Sequence, residues 1–175
     1  MPPTSLKLTA EVQDLRIAWL AALAVAIHVL ESVFPSPLPG VKPGLANVVV
    51  VMALLMYGWR AALAVAVLRV IAGSLFIGTF LSPTFFLSLS GATLALCTMG
   101  LAWLIGRHQL TAIGLSVAAA IGHITGQFIV AWLLFIPHEA IWRLYPILVS
   151  TSLIFGLVSG TMAHALFRKI KIPAA

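Results

Sequence analysis

The sequence predicts an all-α integral membrane protein with six transmembrane helices, and three observations carry that prediction. Of 175 residues, 62% are hydrophobic and only 8% charged, with a mean hydropathy of +1.13, whereas a soluble domain carries about a quarter charged residues. The apolar runs are long and rich in Ala and Leu; in lipid every backbone N–H and C=O needs a partner within the protein, which such runs supply only as helices. The short alternating segments of a membrane β-barrel are missing from the sequence. A span needs about 20 apolar residues, so the length leaves no room for a second domain.

Polar and Pro/Gly breaks place the spans at 16–34, 43–57, 60–77, 84–106, 111–136 and 141–168. The domain expectation is an amino-terminal tail at 1–15, one transmembrane domain at 16–168 and a carboxyl-terminal tail at 169–175. The first run is read as a retained span, because Glu31-Ser32-Val33-Phe34-Pro35 follows it where a signal peptide would carry small residues. The second segment is short and Tyr57-Gly58-Trp59-Arg60 is a tight connection, so the second and third segments form a hairpin.

Charge orients the bundle. Lys7, Arg16, Arg60, Arg107, Arg168, Lys169 and Lys171 fall on one side, and only Lys42 and Arg143 on the other. The positive-inside rule then puts both termini in the cytoplasm. Trp19, Trp59 and Trp103 belong to the inner interface and Trp132 and Trp142 to the outer one, as in an aromatic belt. The net charge of +6 therefore reflects topology, and no nucleic-acid partner is implied. Cys97 is the single cysteine and can form no internal disulfide.

Small residues recur at every fourth position: Ala18, Ala22 and Ala26 in the first span, Gly114, Ala118, Gly122 and Gly126 in the fifth, Ser152, Gly156 and Gly160 in the sixth. Such ridges let helix backbones approach closely, either within the bundle or against a partner subunit.

The chain carries no soluble-type catalytic signature. Asp14 is its only aspartate, and there is no phosphate-binding loop, so the chain cannot energise transport with ATP by itself. Neither a nucleophile triad nor a Cys/His metal spacing occurs, so the expectation is a non-enzyme with no metal and no cofactor of its own. Ionisable and amide groups inside spans are costly and mark function by default. Arg69 lies midway along the third span, where a guanidinium costs about 2.5–3.5 kcal/mol on insertion scales. Glu31 is the one acid within a span; the two form a structural ion pair, contact a ligand, or do both. Asn47 opens the second span, either capping it or facing a ligand. His123 and Gln127 are one turn apart and share a helix face. His28 and His164 are read as packing, and Glu139 and Arg143 as an exposed pair one turn apart at the start of the sixth span.

Two outer connections read as ordered lids over such a site. The first, with Pro39, Gly40, Lys42 and Gly44, holds four prolines in 35–44 and is stiff. The second ends on Ser82 and Pro83.

Pro39-Gly40-Val41-Lys42-Pro43-Gly44-Leu45-Ala46-Asn47 resembles a signature of the Gx transporter family, many of whose members are labelled heptaprenyl diphosphate synthase component I. Leu68-Arg69-Val70-Ile71-Ala72-Gly73-Ser74-Leu75, Ser82-Pro83-Thr84-Phe85 and Ser88-Leu89-Ser90-Gly91 are similar to its further blocks. Pro43 and Ala92 depart from the pattern, standing where an aliphatic residue and a second glycine are usual. That family resembles the substrate-binding S components of energy-coupling factor (ECF) transporters. The resemblance implies a six-helix bundle in the bacterial cytoplasmic (inner) membrane with an outward-facing pocket for a vitamin- or cofactor-like molecule. It also implies docking through Ala18, Ala22 and Ala26 onto a coupling protein that carries ATPases. A synthase activity fits poorly, because a chain whose only aspartate is Asp14 lacks the aspartate-rich motifs that bind Mg²⁺-diphosphate. The rival readings are a non-catalytic membrane scaffold for a prenyl synthase or redox assembly, and a self-sufficient small transporter.

Overall fold

The computed structural model describes residues 4–33, 44–106 and 110–170, with side chains from Glu11 onward. Pro39, Gly40 and Lys42 of the expected first lid therefore lie outside the described residues, as do Arg107 and Lys171. The described elements are helices: α1 (Thr4–Val33), α2 (Leu45–Tyr57), α3 (Trp59–Ile77), α4 (Pro83–Gly106), α5 (Ala112–Val130) and α6 (Tyr145–Lys169). A π-helical turn, Ala131–Phe135, extends α5, and a 3₁₀ segment, Glu139–Arg143, precedes α6.

Among the described residues five helices are long and apolar enough to cross a membrane, not six. The exception is α2, whose 13 residues rise about 20 Å against a hydrocarbon core about 30 Å thick. Its sequence explains where it goes instead. Residues 48–51 are four consecutive valines, and every residue from Val48 to Leu54 is buried. A helix apolar all round belongs in the interior, and α2 packs against α1, α3, α5 and α6. It is the hub of the core: Val51, Ala53 and Leu54 meet Ala24 of α1, Ala62 and Val65 of α3, Leu115 and Ala119 of α5 and Ala163 of α6 in one cluster.

The hairpin of α2 and α3 forms at Gly58, whose φ of 83° and ψ of −171° fall in a region open only to glycine. Gly58 N–H donates to the Leu54 carbonyl at 2.9 Å, and Ala62 N–H to the Gly58 carbonyl at 3.2 Å. One residue thus ends a helix and begins the next.

Three helix ends differ from the sequence reading. α1 begins at Thr4, inside the stretch read as a tail, because 4–15 contain neither Gly nor Pro and nothing stops the helix where its apolar part ends. Beyond Val130 the Ile136 N–H reaches the Ala131 carbonyl at 2.9 Å, a five-residue bond that widens the last turn. Glu139 and Arg143 sit on the 3₁₀ segment, where three residues make a turn, so the pair is not stacked on one face as an α-helix would stack it. α6 starts only at Tyr145, with Pro146 in its first turn, a position whose missing N–H costs nothing.

The small-residue ridges have separate uses. A Cβ on Gly126 would lie 2.5 Å from the Ser90 carbonyl oxygen, and one on Gly122 would overlap Thr98, so this ridge sets the α4–α5 distance. Thr98 adds an interhelical bond there, donating to the Ala118 carbonyl at 2.8 Å. A Cβ on Gly160 would lie 2.7 Å from Ile113 Cα, and one on Gly156 2.9 Å from Ala120 Cβ, so the sixth-span ridge is buried against α5. Ala18, Ala22 and Ala26 are exposed on α1, while the helix turns Ala21 and Ala24 to the core.

Candidate functional site

A cavity of about 240 Å³ opens between the helices, and all six line it. Its lining comes from the carboxyl-terminal end of α1, the start of α2, the middle of α3, the start of α4, the second half of α5 and the first half of α6. These parts share one end of the bundle, opposite the ends that carry Arg60, Arg168 and Lys169. Glu31, Asn47, Arg69, His123 and Gln127 all reach this one cavity, although they come from four helices and Glu31 and Gln127 stand 96 positions apart in the chain.

Glu31 is buried near the end of α1, and its Oε1 accepts a 2.6 Å hydrogen bond from the Leu45 backbone N–H. The cause is local. α2 is entered through Gly44, left-handed at φ 72°, which supplies no side-chain cap. The first N–H groups of a helix lack intrahelical partners and present partial positive charge, so a carboxylate from α1 fills the role. Asn47, which the sequence reading gives as either the cap of this helix or a ligand contact, stands inside the first turn and lines the cavity.

Arg69 is buried at 6% exposure on α3, and Glu31 is the charge that acts on it. The carboxylate therefore faces two positive centres, the α2 amino terminus and the guanidinium. One buried negative charge thus links α1 to α2 by a hydrogen bond and acts on the cation of α3.

On α5 the Gln127 Nε2 and His123 Nε2 lie 3.2 Å apart. An amide nitrogen donates, so this contact is a hydrogen bond when the imidazole Nε2 is unprotonated. Gly91 of α4 makes room for this pair, since a Cβ there would lie 2.8 Å from His123 Cε1 and 2.9 Å from Gln127 Cγ. Among the described residues, Arg69 Nε and Gln127 Oε1 are buried polar atoms that no hydrogen bond satisfies. Buried polar groups normally find partners, so these two atoms mark where packing around the cavity's lining residues leaves a polar group unpaired.

His28, which the sequence reading assigned to packing, also lines the cavity. Its ring rests on Gly73 of α3, where a Cβ would fall 2.5 Å from His28 Cδ2. The available signal was its position three residues before Glu31, on the same face of α1. Thr84, Ser88, Ser152 and Ser159 join it. Two of these hydroxyls spend their bonds inside the protein: Ser152 donates to the Val149 carbonyl, and Ser159 pairs with Ser116 Oγ at 2.8 Å. Apolar walls come from Val70, Leu87, Ile124 and Phe155.

Of the expected lids, Gly44 lines the cavity and Ser82 and Pro83 do not. Ser82 Oγ accepts from the Phe85 N–H at 3.4 Å and Pro83 opens α4, so the pair starts that helix and aims Thr84 at the site. Leu81 is left-handed at φ 61°, the bend that lets the chain turn into this cap. Over the α5–α6 connection Phe128, Trp132, Trp142 and Tyr145 form an aromatic cluster of edge-on and tilted contacts, tied to α5 by a 3.0 Å contact between the Tyr145 and Thr125 hydroxyls. Among the described residues no three His, Cys, Asp or Glu side chains gather as a metal site.

The fold and the cavity define a multi-pass helical membrane protein with a polar pocket buried among its helices. The sequence model of the family described as heptaprenyl diphosphate synthase component I matches residues 20–166, and the chain belongs to that family. No curated protein and no solved structure matches it.

Proposed function

We propose that the protein is a membrane-embedded binding subunit, similar to the S components of ECF transporters, that captures a small vitamin- or cofactor-like molecule for uptake. The observation that carries this reading is the cavity of about 240 Å³ shared by Glu31, Asn47, Arg69, His123 and Gln127. Its size lies just under the roughly 300–1,000 Å³ of ordinary ligand pockets, which suits a compact molecule and not a long prenyl chain. In the proposed orientation both termini are cytoplasmic in a bacterial inner membrane, with α2 counted as a sixth, short span. The cavity then faces outward, because Arg60, Arg168 and Lys169 occupy the opposite end and positive charge stays inside.

In this mechanism the ligand enters from outside, settles among the buried polar groups and is enclosed by the outer connections. Release inward requires a partner module that hydrolyses ATP. The exposed ridge of Ala18, Ala22 and Ala26 offers such a partner a close approach. No residue is assigned a catalytic role. The family description itself favours a second reading, a non-catalytic accessory subunit of a prenyl diphosphate synthase.

Native mass spectrometry of the detergent-purified protein, followed by denaturation and small-molecule identification, separates the two. A stoichiometric small molecule, lost in Arg69→Ala and Asn47→Ala proteins that still fold, supports the binding subunit. A co-purifying synthase subunit with no small molecule supports the accessory role.

A further inference from the structure

We infer that the ligand is a compact monoanion, a carboxylate on a small apolar body, and that its binding is coupled to proton uptake by the imidazoles of His28 and His123. The inference rests on the reading of the cavity as a binding site and adds the chemical class of what it holds.

The ionisable groups that line the cavity come from three helices. His28 and Glu31 stand on α1, Arg69 on α3 and His123 on α5. The other three helices bring amide, hydroxyl and apolar side chains to the lining. Their own titratable groups lie elsewhere: Tyr57, His164, Arg168 and Lys169 toward the opposite end, Cys97 on the exposed surface, and the Tyr145 hydroxyl against Thr125. Three basic side chains thus share the cavity with one acid. That acid is already engaged, because Glu31 Oε1 accepts a 2.6 Å hydrogen bond from the Leu45 N–H at the amino terminus of α2. An anion therefore meets a lining with bases in excess. A cation meets Arg69, whose charge is permanent, and gains nothing from the imidazoles.

Every titratable group of the lining moves its charge the same way with pH. Imidazoles gain positive charge between about pH 8 and pH 5, and a carboxylate that takes up a proton loses negative charge. Falling pH therefore only makes the cavity more positive. A nearby anion favours the imidazolium over the neutral ring, so the complex binds more protons than the free protein, and affinity rises as pH falls.

The packing around His123 has a place for the extra proton. With Nε2 unprotonated, Gln127 Nε2 donates to it across 3.2 Å, and the buried Gln127 Oε1 has no hydrogen bond. Once Nε2 carries a proton, a half-turn of the Gln127 amide brings Oε1 to it as acceptor. The buried oxygen then gains a partner without having to reach the ligand. Val70, Leu87, Ile124 and Phe155 supply an apolar wall for the body of the molecule.

The test uses three probes of similar shape and different charge: benzoate, benzamide and benzylammonium. Each is titrated by ligand-observed NMR into the full-length protein in phosphatidylcholine nanodiscs, with empty nanodiscs as the partition control. Titrations are run at about pH 8 and about pH 6, on the two sides of the ordinary imidazole pKa. Benzoate is expected to bind about tenfold more tightly at the lower pH and there to exceed both other probes, while benzamide changes little. In a His28→Gln/His123→Gln protein of unchanged melting temperature, the two benzoate affinities should converge. Should that protein fail to fold, a pH indicator in weakly buffered wild-type protein reads the same coupling: protons are taken up on adding benzoate and not on adding benzamide. Tighter binding of benzamide or benzylammonium at the lower pH overturns the anionic class and leaves the binding site standing. A benzoate affinity indifferent to pH, benzoate binding without proton uptake, or a pH response that survives in the folded double variant overturns the proton coupling. Binding of none of the three overturns the site itself, and the inference falls with it.

Discussion

The Glu31 carboxylate and the Leu45 backbone N–H are joined by a 2.6 Å hydrogen bond that closes the amino terminus of α2 with a side chain from α1. Fourteen residues separate the partners, and the same carboxylate balances Arg69. Removing it should therefore do two kinds of damage. Glu31→Ala is expected to destabilise the protein by about 3–5 kcal/mol, the usual cost of leaving a buried charge uncompensated. Glu31→Gln keeps the shape and a hydrogen-bond acceptor but not the charge, and should fall between. Unfolding curves in one detergent, for all three proteins, check the order.

Gly91 and Gly126 stand on opposite sides of the α4–α5 contact and should respond differently to an added methyl. On Gly91 it meets the His123 and Gln127 side chains at 2.8 and 2.9 Å, which can yield into the cavity. Gly91→Ala should keep most of its stability and lose about tenfold or more in ligand affinity. On Gly126 the methyl meets the Ser90 carbonyl oxygen at 2.5 Å, and backbone cannot yield without parting the helices. Gly126→Ala should cost about 1–3 kcal/mol. Melting temperature and ligand retention, measured together, distinguish the two.

Gly58 and Gly78 both have positive φ and open space where a Cβ would go, so substitution there reads backbone strain alone. Gly78 is ordinary left-handed at φ 76° and ψ 20°, where Ala costs about 1–2 kcal/mol and Asn less. Gly58, at ψ −171°, lies where side chains scarcely occur. Gly58→Asn should be markedly worse than Gly78→Asn by thermal unfolding. Equal effects would mean that the α2–α3 turn relaxes.

The buried Ser116–Ser159 hydroxyl pair, 2.8 Å apart, invites overstatement. Ser159 also donates within its own helix, to the Phe155 carbonyl at 2.8 Å, and such hydroxyls keep that partner when the helices separate. A double-mutant cycle with Ser116→Ala and Ser159→Ala should give a coupling of about 0.6 kcal/mol, the average for polar pairs between membrane helices.

The residues that the sequence marks and the residues that the cavity uses overlap for a definable reason. An Arg, Glu, Gln or Asn inside an apolar run is too costly to be accidental, so Arg69, Glu31, Gln127 and Asn47 are legible from position alone. His28 shares a face of α1 with Glu31, a signal the sequence offers, but only the close approach of Gly73 shows why its ring has room at the cavity. Ser152 and Ser159 are not legible, because a serine bonded to its own helix carbonyl costs little anywhere in a membrane. The cap of α2 is misleading in sequence: Asn47 is the nearby residue of capping type, yet the bond comes from Glu31, which reaches the helix only once α1 lies beside it.

Composition and apolar run length by themselves determine that this chain is helical and belongs in lipid, because the backbone there must close its own hydrogen bonds as helices or a barrel, and the long unbroken runs do not suit barrel strands. They also determine most helix boundaries, since Pro, Gly and polar clusters act locally. Which short apolar segment becomes the central hub, which glycine ridge separates which pair of helices, and which distant polar groups share one cavity are decided by tertiary packing. α2 is shorter than the hydrocarbon core is thick and apolar on every side, so its place depends on the four helices packed against it, α1, α3, α5 and α6. The site has the same origin: its charges are distributed over separate helices, and only their packing makes one carboxylate serve both a helix end and a buried arginine.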